Sequence, residues 1–137
     1  MAKNLKYAQG NITGPLTKAI AQTASRTTNQ PISGDPCMIG KIPAVALIDS
    51  DSDGRVTPQF DGIWEFLVAG VDSSGSADSD ANVAVNGGDE IFFDKDNTPP
   101  LSKRATGDHF GWAMGDSGVQ LVASGVLTTE INVKIGW

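Results

Sequence analysis

The sequence predicts an all-β domain, a small barrel or sandwich preceded by an extended N-terminal arm. Three observations carry this. From Gly34 onward, short apolar runs rich in Val, Ile, Phe and Trp alternate with clusters of Asp, Asn, Ser, Gly and Pro, which is the texture of strands joined by tight turns. The turn signals recur about every ten residues and no long helical period interrupts them. The closing segment alternates strictly, with Ile131, Val133 and Ile135 on one side and Glu130, Asn132 and Lys134 on the other, so one face is core and one is wet. Seven to nine short strands are expected, in a single domain long enough to bury about two thirds of its unfolded surface.

Residues 1–33 are polar, rich in Thr, Gln and Asn, and too poor in large apolar groups to build a core layer. They read as the arm, ordering mainly against something else. Pro15 stands where the first residue of a helix would, and Leu16 and Ile20 share a face, so a single helical turn is allowed, marginal on its own.

Residues 34–137 form the β-rich domain. Gly34-Asp35-Pro36 turns into a strand at Cys37–Gly40, and Pro43 demotes its surroundings to a sheet edge or bulge. Ala44–Ile48 continues as a buried strand, Asp49–Gly54 turns, Arg55–Phe60 returns, and Gly62–Val68 is the most apolar strand. Asp72–Asp80 reads as a solvent loop. Asn86-Gly87-Gly88 signals a hairpin between a short strand at Ala81–Val85 and another at Asp89–Phe93. Asp94–Asn97 turns again. His109–Met114 reads as a short buried strand whose Gly111 permits close backbone approach, and Trp64 and Trp112 are expected in the core. Trp137, at the terminus, is left open between core and subunit contact.

Charge and cysteine usage exclude several classes. Cys37 is the single cysteine, so no intrachain disulfide forms, and a small buried thiol on a strand is the expectation. No apolar run approaches the roughly 20 residues that span a bilayer, and the start lacks a signal peptide's apolar segment; a soluble protein without a membrane partner is expected. Through Lys41 the chain carries five basic residues against Asp35, a net of +4, whereas the remainder carries five basic and fifteen acidic residues, a net of −10. An acidic body repels nucleic acid. A basic arm on it suits an acidic protein surface, the alternative being solvated charge without a partner.

Three motifs imitate chemistry. Asp49, Asp51, Asp53 and Gly54 match the opening of an EF-hand loop, but Phe60 stands where a bidentate glutamate should close the shell. The three aspartates remain weak metal candidates, with a solvated turn as the alternative. Gly34–Lys41 resembles a phosphate-binding loop, yet it has five residues between its glycines instead of four, and Ile42 replaces the magnesium-binding Ser or Thr. Gly115-Asp116-Ser117-Gly118 is similar to the nucleophile segment of trypsin-like proteases, but the sole histidine, His109, lies only eight residues upstream, and those proteases need two barrels. No catalytic residue and no cofactor are expected.

The pattern from Ser33 onward carries a resemblance. Ser33-Gly34-Asp35-Pro36, Ile39-Gly40, Ala44–Leu47, Gly62–Phe66, Gly88–Asp94, Phe110–Met114 and Ile131–Ile135, in that order, together with the opening MAKNLKYAQGN, resemble the DUF2190 family of phage capsid cement or head decoration proteins. The resemblance covers about three quarters of the chain. Residues 14–32 look like an enlarged connection, and Pro43 stands where such proteins usually have glycine. It implies a β-barrel or tulip-like domain, a homotrimer, the major capsid protein as partner, and a place on the outer surface of the virion after synthesis in the host cytoplasm. Lys3, Leu5, Lys6 and Tyr7 are then the candidate capsid-binding arm residues. A calcium-dependent binding module of a fibre or adhesin, resting on the aspartate turn, is the alternative.

Overall fold

The structure, a computed structural model, describes residues 17–18, 20–21, 30–73, 83–124 and 129–136. Among these residues it is all β, without a helix: β1 Thr17–Lys18, β2 Ile20–Ala21, β3 Pro36–Ile39, β4 Ile42–Ala46, β5 Arg55–Val56, β6 Pro58–Gln59, β7 Ile63–Asp72, β8 Val85–Asn86, β9 Glu90–Phe93, β10 Leu101–Lys103, β11 Asp108–Ala113, β12 Gln120–Val122 and β13 Thr129–Ile135.

Five strands close into a barrel in the order β10-β7-β13-β11-β9, with β9 returning to β10. Closure removes the sheet edges that would otherwise invite pairing with other chains. Only β10 and β7 run parallel; the other neighbours are antiparallel. The longest seam joins β7 to β13, from Ile63 opposite Lys134 to Val68 opposite Thr129. Inward-pointing Phe66, Val68, Ile91, Phe93, Leu101, Phe110, Ile131, Val133 and Ile135 form one buried cluster. Phe110 sits at its centre, edge-on to Phe66 at 5.6 Å and stacked on Phe93 at 6.1 Å. Burying each such side chain is worth about 1.5–3 kcal/mol.

A second layer joins β2, β3, β4 and β6. Met38 and Val45 of the β3–β4 hairpin face the barrel core, while Cys37, Ala44 and Ala46 pack with Val56 in a smaller cluster. Pro43 is paired to Met38 on one side, and β6 meets β4 only at Val45 and Ala46. The proline therefore lies beyond the end of its second neighbour, where its missing amide donor costs no ladder bond.

Three expectations fail for physical reasons. The helical turn allowed after Pro15 is absent at the described positions. Thr17–Lys18 pairs with β5 and Ile20–Ala21 with β3, because open strand edges offer partners that a short helix, marginal alone, does not match. The Asn86-Gly87-Gly88 turn does not close a hairpin. β8 pairs with β12 instead, Gly87 bridges to Ser117, and Asp89 fixes the turn by accepting the Asn86 amide at 2.8 Å and the Lys103 ammonium at 2.7 Å. Trp112, expected in the core, faces outward. A bulge between His109 and Gly111 shifts the alternation, so Phe110 and Ala113 are buried while Trp112 is exposed.

Candidate interaction surface

The candidate side chains inferred from sequence fall in two places, the arm and the aspartate turn. Lys3, Leu5, Lys6 and Tyr7 lie outside the described residues, as do Trp137 and most of the Asp72–Asp80 loop. The aspartate turn is described in full, and so is the outer wall of the barrel.

In the turn, the carboxylate of Asp51 is committed to the chain's own groups. Its Oδ1 accepts the amides of Asp53 and Arg55, each at 2.9 Å, and its Oδ2 accepts Arg55 Nε at 2.8 Å. These bonds, led by the Arg55 amide, hold the Asp51 carboxyl below its ordinary pKa although desolvation opposes them. Asp49 turns away to accept the Ser33 amide at 2.9 Å, and Asp53 meets Arg55 at 3.4 Å. Among the described residues no group of three or more His, Cys, Asp or Glu is gathered to hold a metal ion.

Cys37 and His109 are both engaged in the scaffold. The Cys37 thiol is fully buried, and desolvation, with a smaller contribution from Asp35, pushes its pKa up to about 12. A thiol so disposed is not a nucleophile at neutral pH. The ring of His109 meets Glu90 Oε1 through Nδ1 at 2.6 Å and the Gly136 carbonyl through Nε2 at 3.4 Å, and it lies edge-on to Trp112 at 5.6 Å. Ser117, on the exposed turn after β11, bridges to Gly87 through its backbone. Among the described residues, the hydrogen bonds of the histidine run to Glu90 and Gly136 and not to Ser117.

The outer wall is the part that sequence patterning undervalued. Register places Ile63, Lys134, Trp112 and Glu90 in one row across β7, β13, β11 and β9. The next row holds Glu65 and Asn132, and Met114, whose amide donates to the Asn132 carbonyl at 2.8 Å, continues it. The third holds Leu67 and Glu130. Ile63, Leu67, Trp112 and Met114 are 57 %, 48 %, 36 % and 39 % exposed. Four large apolar side chains on one wall exceed the scattered singles of an ordinary surface. A groove of about 380 Å³ runs beside them, walled by Glu65, Glu130, Met114 and Leu121.

The wall is also acidic, with three glutamates to one lysine. Glu90 is engaged by His109, but among the described residues neither Glu65 nor Glu130 makes an ion pair. They sit diagonally on adjacent strands, close enough for like charges to repel. An apolar strip flanked by unneutralised carboxylates can recognise a chain or surface carrying Lys or Arg beside apolar groups. The alternation of β13 is readable from sequence, but the outward face of β7 is hidden in what reads as the most apolar strand, and the outward turn of Trp112 depends on the bulge.

Scans against family models, curated proteins and solved structures found no match to this chain.

Proposed function

We propose that the protein is a phage head decoration protein, binding the outer surface of the mature capsid and stapling neighbouring major capsid protein subunits. The observation that carries this reading is where the resembling segments lie. Gly62–Phe66, Gly88–Asp94, Phe110–Met114 and Ile131–Ile135 lead into or occupy β7, β9, β11 and β13, four of the five barrel strands. Four of the seven resembling segments thus fall on the barrel, the other three on the β3–β4 hairpin and the turn before it, and Gly111, whose backbone lies against the Lys134 carbonyl, is part of the likeness.

Decoration needs no reaction chemistry, and the engaged Asp51, Cys37 and His109 accord with that. Its mechanism is avidity. A trimer seated at a local three-fold point contacts several subunits at once, so weak contacts linked through one rigid barrel add to a slow release. Binding the assembled lattice and not its disrupted form stabilises the lattice by mass action. The basic arm, with Lys3 and Lys6 toward capsid carboxylates and Leu5 and Tyr7 as apolar anchors, supplies the grip. Deleting residues 2–12 tests that role: the truncated protein should co-sediment with heads at reduced occupancy and detach at lower salt, and unchanged occupancy and salt resistance would remove the arm from the mechanism.

A further inference from the structure

We propose that in the free protein the basic segment Lys3–Tyr7 docks on the acidic, apolar outer wall of the barrel, along the groove walled by Glu65, Glu130, Met114 and Leu121 and beside Leu67, which stands opposite Glu130. The inference goes beyond the decoration reading and does not depend on it, since it concerns the protein before any capsid is present.

The wall's chemistry defines the occupant. Leu67 and Met114 offer apolar contact, and the unneutralised pair Glu65 and Glu130 gains from a cation placed between them. β7 and β13 are paired with each other along this stretch, from Ile63 opposite Lys134 to Val68 opposite Thr129, so the face between them offers its side chains to an occupant. A second copy meeting the wall with its own wall would set three glutamates against three, which repels.

Within the chain, the matching charge lies ahead of the barrel. Of the described cations of the β-rich domain, Lys41, Arg55, Lys95 and Lys103 are held by Asp108, Asp51, Asp96 and Asp89 respectively, Arg104 is buried, and Lys134 already belongs to the wall, opposite Ile63 and Trp112. The segment Lys3-Asn4-Leu5-Lys6-Tyr7 brings two lysines and two apolar side chains with no acidic residue. In extended form Lys3, Leu5 and Tyr7 share one side, an arrangement of charge beside apolar groups that matches the groove. Nine residues lie between Tyr7 and Thr17, a span of about 33 Å when extended. That is comparable with the width of about 35 Å expected of a domain this size, so chain length permits the segment to meet a wall, of its own copy or of a neighbour.

Site-directed crosslinking in the full chain tests the inference, with no heads present. Leu5→Cys is combined with Leu67→Cys, and in a control with Ile48→Cys, which is equally exposed at 48 % but lies beside the aspartate turn. Buried Cys37 stays out of the reaction. Under mild oxidation the Leu67 pair should crosslink about tenfold faster than the control, as expected for a docked segment at raised effective concentration. Adding Glu65→Lys with Glu130→Lys should abolish the excess, and adding Lys3→Glu with Lys6→Glu to that variant should restore it. A band at monomer mass assigns the groove to the same copy and one at dimer mass to a neighbour; both support docking. Equal rates at the two sites, or an excess indifferent to the charge swap, would overturn it. Because heads are absent, either result leaves the decoration reading to its own test.

Discussion

Gly111 backs directly onto the carbonyl of Lys134: a Cβ at residue 111 would lie 2.0 Å from that oxygen. The contact is backbone to backbone, so no side chain can swing away to relieve it. It sits on the β11–β13 seam, where Gly111 is opposite Ile135 and Trp112 opposite Lys134. Gly111→Ala should therefore prise the seam apart and destabilise the fold by about 2–4 kcal/mol, measured by urea or thermal unfolding. A variant as stable as the parent would show that the seam is looser than described.

That seam also marks where sequence reasoning succeeded and where it stopped. The alternation of Ile131, Val133 and Ile135, and the close approach at Gly111, were legible because period and residue size act locally. Trp112 was not, since one inserted residue in β11 reverses the face that every later side chain takes. The pairing of β8 with β12 was equally hidden. Asn86-Gly87-Gly88 announces a turn, but a turn does not say which distant strand will satisfy the backbone that follows. The acidic wall needed the register of β7 against β13, which places Glu65 near Glu130 although 65 residues separate them in the chain.

Cys37 gives a prediction in pH. The folded thiol keeps its proton up to about 12, whereas its ordinary value is 9.0, so the native state binds the proton more tightly than the unfolded chain. Its contribution to stability is complete below about pH 9 and is lost as pH rises toward 12. Compared with Cys37→Ala, the parent should lose stability more steeply across that window, and thiol reagents at neutral pH should label it only at the rate of unfolding. Rapid labelling of the native protein would contradict the burial.

Asp51 gives the opposite sign. Its carboxyl is held below the ordinary 3.8, so the turn's contribution is present above that value and fades as pH falls through the lowered one. Asp51→Asn should flatten this acid dependence. Because both oxygens already accept bonds from Asp53 and Arg55, millimolar calcium should give neither heat in titration calorimetry nor a shift in melting temperature. A saturable calcium signal lost in Asp51→Asn would revive a metal role for Asp49, Asp51 and Asp53.

Glu90 and His109 tie β9 to β11 at 2.6 Å. A double-mutant cycle with Glu90→Gln and His109→Gln should return a coupling of about 1 kcal/mol. Purely additive effects would mean that the contact orients the ring against Trp112 without contributing net stability.

Decoration itself is tested most directly by mixing the purified protein with bare phage heads, expanded and unexpanded, and imaging them by electron microscopy. The account predicts density on the outside of expanded heads at regular lattice positions, with those heads surviving heat that disrupts bare ones. Heads of both forms left undecorated at saturating protein concentration would contradict it.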